Sequence, residues 1–156
     1  MIERVRRTHP HTVTYRELLN EGTCATYALH LFREKAYWAM ASNFGRRIFA
    51  GRQFMEWLIQ HHLSKIRRPV LGCLATYFRD DVWQHIGVVS GSGRVTSQWG
   101  TFPVYEHGFF EVPARYGDDV RYFRGLRRGD ALRLFLDFAK THGLSDADIS
   151  RVISNV

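Results

Sequence analysis

Apolar positions follow two different periods along this chain, and the period changes twice. Before about residue 65 helical spacing is found at 24–32 and again at 50–65. From 70 to 99 they fall in short runs rich in β-branched and aromatic residues. Beyond 129 helical spacing returns. Residues 1–13 read as an irregular arm. Thr14 and Glu17 have capping-box spacing, so a short helix is expected to about 20. Glu21-Gly22 breaks it, and Thr23 can cap a second helix from Cys24 to about Phe32, with Ala25, Ala28, Leu29 and Phe32 on one face. Residues 34–47 show no clean period. The stretch 50–65 is an amphipathic helix with Phe54, Trp57, Leu58 and His61 sharing a face.

Strands are expected at 70–78, 82–90 and 94–99, separated by the turn signals 79–81 and 91–93. A long connection, 100–118, leads to a fourth strand at 119–123. Helices at about 130–141 and 146–154 close the chain, the last with a capping box from Ser145 and Asp148. Helices, an antiparallel meander and more helices make an α+β pattern rather than strand–helix alternation. The 156 residues suit a single domain: the arm 1–13, a core over 14–128 and a helical hairpin over 129–156.

Composition narrows the function classes. No apolar run approaches the length of a membrane span. The charged start, Met1 to Arg7, has no signal-peptide pattern, so the cytoplasm is the default location, or export by a route that needs no signal. In that setting Cys24 and Cys73 are expected as free thiols. The net charge of +7 comes from 19 Arg and 3 Lys against 15 acids. A basic surface of this kind favours anionic partners: nucleic acid, anionic lipid or cell-wall polymer.

Three positions carry candidate chemistry. Cys24 sits where unpaired backbone N–H groups at a helix start can stabilise a thiolate. His85 heads the run His85-Ile86-Gly87-Val88-Val89, where a base on a strand can reach a helix packed over the sheet. A base needs an orienting group on its other ring nitrogen. A two-residue turn at 91–92 would bring Gln98 opposite His85, and a three-residue turn would bring Trp99. A bulge or another register would bring Ser97. Gln98 is the first choice, because an amide oxygen accepts an imidazole N–H, and Ser97 is the reserve. His61 and His62 point about 100° apart on a helix, so no metal pair is expected there. His107, beside Glu106 in the long connection, is expected in solvent. The aromatic residues from Trp99 to Tyr116 are expected to pack over the sheet.

The segment 68–78, opening on Arg68-Pro69-Val70-Leu71-Gly72, and the segment 84–95, opening on Gln84-His85-Ile86-Gly87-Val88, together resemble the central hairpin of NlpC-like and CHAP-like cysteine peptidases. Thr23-Cys24-Ala25-Thr26-Tyr27-Ala28 resembles their nucleophile helix. The likeness covers roughly 20–100, and its third polar position falls on Ser97, with Gln98 one later. It implies a papain-like core in which Cys24 attacks a carbonyl, His85 takes the thiol proton, and the Cys24 backbone N–H helps bind the oxyanion. It implies no cofactor, and an amide or peptide substrate such as a peptidoglycan peptide. The alternative from a different class is a catalytically idle fold whose arginines bind nucleic acid or another polyanion.

Overall fold

The computed structural model describes residues 13–19, 21–101 and 103–156. Its strands are β1 (Thr14–Leu18), β2 (Lys65–Ile66), β3 (Leu74–Arg79), β4 (Val82–Gly91), β5 (Arg94–Gln98), β6 (Pro103–Gly108) and β7 (Asp119–Phe123). They form one seven-stranded sheet in the order β1-β6-β5-β4-β3-β7-β2, antiparallel at every pairing. The helices among the described residues are α1 (Cys24–Ala28), α2 (Lys35–Phe44), α3 (Arg52–His61), α4 (Asp130–Thr141) and α5 (Asp146–Ile153). The class is α+β.

Three local expectations give way to tertiary pairing. The helix expected from Thr14 is an edge strand on β6, where Thr14 Oγ1 donates to the Glu106 carbonyl at 3.4 Å and Arg16 pairs with the Glu106 carboxylate at 2.7 Å. So short a helix is marginal in isolation, and β6 offers the same residues a ladder. The helix expected to run to Phe32 stops at Ala28; His30 then turns left-handed, with φ 58°, into a 3₁₀ turn over Leu31–Arg33. The long connection contains a strand, β6, which pairs with β5 on one side and β1 on the other. Its alternation of Tyr105 and His107 against Val104 and Glu106 was obscured by the flanking Pro and Gly. The arm 1–13 lies outside the described residues except for Val13, which is buried.

Two apolar clusters flank the sheet. On one face the helices cover Leu74, Phe78, Trp83, Ile86 and Phe123. Phe54 meets Phe135 and Phe138 there with ring centroids 5.3 and 5.2 Å apart. On the other face, Ala75, Tyr77, Val89, Val95, Trp99 and Tyr105 pack with Val112 and Tyr116 from the chain after β6. The aromatic residues thus pack over the sheet, except Phe110, which is exposed, and Phe102, which lies outside the described residues.

A β-bulge decides which face receives His85. Tyr77 pairs with His85 but Phe78 pairs with Trp83, so Gln84 is the extra residue. Strict alternation would put Trp83 and His85 on one face. The bulge sends Trp83 to the helices and His85 to the loop-covered side.

Candidate active site

The start of α1 is fixed by its cap. Thr23 and Thr26 form a reciprocal capping box, with the Thr23 N–H donating to Thr26 Oγ1 at 2.7 Å. Gly22 makes this possible. Its φ is +97°, and a Cβ there would lie 2.5 Å from Thr26 Oγ1. Cys24 is therefore the first helical residue, half-buried and free, on a helix packed over β4 and β5.

β4 and β5 pair from Val88↔Thr96 outward to the turn, and no pairing continues upstream of Val88. In that opening the Ile86 N–H donates to the Cys24 sulfur, joined by the N–H groups of Ala25 and of Cys24 itself. Desolvation nevertheless dominates and pushes the thiol up to about 11. Cys24 is a neutral thiol at neutral pH, not a preformed thiolate. Among the described residues no hydrogen bond joins it to His85. The Tyr116 ring stacks on His85 at 4.0 Å and 4°. Burial raises the pKa of the Tyr116 hydroxyl, opposed by the hydrogen bond from Arg115.

The orienting group on His85 is Ser97, not Gln98. The hairpin closes with Gly91↔Arg94 around Ser92-Gly93, and a bulge at Ser90 shifts the register to Val89↔Val95 and Val88↔Thr96. That offset aligns Ser97 with Gly87 on the His85 face. Gln98 turns to the opposite face, where its amide oxygen lies 3.7 Å from the position of a Gly22 Cβ. Gly87 permits the approach, since a Cβ there would lie 2.9 Å from Ser97 Cβ and 2.5 Å from Val95 Cγ1.

Ser97 Oγ is a hub. It lies 3.0 Å from His85 Nε2, 2.7 Å from His107 Nε2 and 3.0 Å from Trp99 Nε1. His107 Nδ1 is 2.8 Å from the Gly108 carbonyl. A carbonyl only accepts, so His107 Nδ1 carries a proton. Burial first, opposed by that same Gly108 bond, brings His107 down to about 4, so its ring is neutral and Nε2 is an acceptor. Ser97 therefore donates to His107. Its lone pairs accept from Trp99 Nε1–H and from His85 Nε2–H. His85 is thereby fixed as the Nε2–H tautomer, with its lone pair on Nδ1. Burial, then the charges of His107 and Arg115, hold His85 well below its ordinary value, so that lone pair is free of a proton at neutral pH.

His107 was expected in solvent and is fully buried. The signal that would have found it is its spacing of two from Tyr105 in an alternating run. Cys73 is a buried thiol that accepts the Val70 N–H at 3.4 Å. Among the described residues no group of three or more His, Cys, Asp or Glu converges as a metal site would. Compared with known proteins, the chain matches no family model, no curated protein and no solved structure.

Proposed function

We propose that the protein is a cysteine hydrolase that cleaves an amide bond, with Cys24 as nucleophile and His85 as general base. The observation that carries this reading is the network His85–Ser97–His107–Gly108, which leaves His85 Nδ1 unprotonated on the strand whose next N–H holds the Cys24 sulfur. Proton abstraction from a neutral thiol needs an unprotonated base within hydrogen-bond reach, so this reading requires Cys24 and His85 to close up when substrate binds.

In this reading the Cys24 S–H proton moves to His85 Nδ1 as sulfur bonds to the substrate carbonyl carbon and the carbonyl electron pair moves to oxygen. The N–H groups of Cys24 and Ala25, which converge on the sulfur, bind the oxyanion. The intermediate collapses, the amine leaves with the proton from His85, and a thioester remains. Water attacks it, giving a proton to His85, which returns it to the departing sulfur. Ser97 and His107 position the base and do not touch the substrate. The resemblance to NlpC-like and CHAP-like peptidases in a papain-like core points to peptide amides, cell-wall peptides among them.

The test is an acyl-enzyme trap with a p-nitrophenyl ester, read by intact mass and peptide mapping. The expected result is an adduct on Cys24, formed about 10²–10⁴-fold more slowly in His85→Ala. Ser97→Ala slows it by a smaller factor and distorts its pH profile. The absence of an adduct on Cys24, or an equal rate in His85→Ala, overturns the reading. One observation favours a second reading: the thiol is pushed up to about 11 and makes no hydrogen bond to His85. That suits an idle fold acting as a polyanion-binding module, and the same trap separates the two.

A further inference from the structure

At one end of the sheet the loop from β2 to β3 meets the segment after β7. The Arg124 N–H donates to the Ser64 carbonyl at 2.9 Å, and a Cβ on Gly125 would lie 2.4 Å from the Gly72 carbonyl oxygen. Residues 64–73 and 124–128 therefore run against each other. Lys65, Arg67 and Arg68 on the first, and Arg124, Arg127 and Arg128 on the second, are all exposed. None of them forms an ion pair among the described residues, as is also true of the scattered exposed cations Arg33, Lys35, Arg52 and Arg79; what sets these six apart is that two adjoining segments bring them together. Within this cationic group a tight turn, closed by the Cys73 N–H to the Val70 carbonyl at 3.0 Å, presents Val70 and Leu71 to solvent. They are 59% and 75% exposed.

Unneutralised like charges repel one another and are relieved by an anionic surface. The two aliphatic side chains narrow the choice of surface. Neither segment contains an aromatic ring, so the patch has no platform on which bases would stack. A cationic rim around projecting aliphatic side chains is the composition that enters a lipid interface, with cations at the headgroup phosphates and apolar groups below them. No helix among the described residues is long and apolar enough to cross a membrane, so the contact is peripheral. We propose that this end of the sheet docks on a membrane surface containing anionic lipid, with Val70 and Leu71 inserting between headgroups. The proposal is independent of the chemistry at Cys24.

Co-sedimentation with vesicles tests it, comparing phosphatidylcholine alone with equimolar phosphatidylcholine and phosphatidylglycerol at about 0.1 M salt. The protein is expected to pellet only with the anionic vesicles. The double variant Arg67→Gln, Arg68→Gln should lower the partition coefficient about 25-fold, about fivefold per cation. Leu71→Asp should lower it about tenfold. Arg133→Gln removes one charge elsewhere and should change it less than about twofold. Equal binding to both vesicles overturns the proposal. So does an Arg133→Gln effect as large as that of removing one patch arginine, because net charge alone would then explain binding. Tighter binding to an oligonucleotide that Leu71→Asp leaves unchanged also overturns it and assigns the surface to nucleic acid.

Discussion

The two faces of the sheet are held by different physics. The helix-covered face is closed by apolar rings and aliphatic side chains, with Phe54, Phe135 and Phe138 fully buried. The loop-covered face buries His85, Ser97 and His107 among Tyr77, Trp99 and Tyr116. On the first face stability scales with the volume filled. On the second it depends on whether each donor has an acceptor, because an orphaned polar group in such a place costs more than its bond contributes. One face can therefore absorb apolar exchanges of similar size, while the other is sensitive to single atoms and to pH.

The largest expected effect is on the apolar face. Phe135→Ala should cost about 4 kcal/mol in urea unfolding, with no change in the pH dependence of stability. Acid should act on the other face. His85 and His107 both have folded pKa values below the unfolded 6.5, with His107 at about 4. The unfolded chain then binds more protons between those values. Stability is complete above about pH 6.5 and is lost as pH falls toward 4, by about 3 kcal/mol from His107 alone. Thermal unfolding across that range checks it. His107→Gln should flatten the slope, and an unchanged slope would place the acid sensitivity elsewhere.

Gly87→Ala sharpens the comparison at intermediate size. The added methyl pushes β5 away from β4, costing about 2 kcal/mol and slowing acylation of Cys24 by displacing Ser97. If stability falls while the acylation rate holds, the spacing of His85 and Ser97 is not set by that glycine. The smallest effect should have the opposite sign. The Tyr77 hydroxyl is buried with no hydrogen-bond partner, so Tyr77→Phe is expected to stabilise the fold by about 1 kcal/mol. A destabilisation of similar size would show that the hydroxyl is satisfied in solution.

Much of this was legible where signals are local. Thr23 caps a helix as expected, and the capping box at Ser145 is formed as its spacing predicts. The central strands and the C-terminal helices fall within a few residues of their expected places, because period and turn residues act over a short span. The errors came where a distant partner competed. Thr14 to Leu18 had a helical start signal and became an edge strand, since its ladder partner lies some ninety residues away. His107 had a loop-like neighbourhood and became buried, since β6 is sandwiched between β1 and β5.

The sequence by itself determined the α+β class, the cap that begins α1 at Cys24, and a strand that runs on from His85. Those depend on residues a few positions apart. Tertiary structure alone decided the partner of His85. One-residue offsets at Gln84 and Ser90 invert which side chains share a face, and no periodicity in the sequence encodes an offset of one. Those bulges brought Ser97 rather than Gln98 to the imidazole and closed the network on His107. The same folding left Cys24 a neutral thiol, because the packing that holds the sulfur in place also removes the water that would stabilise its charge.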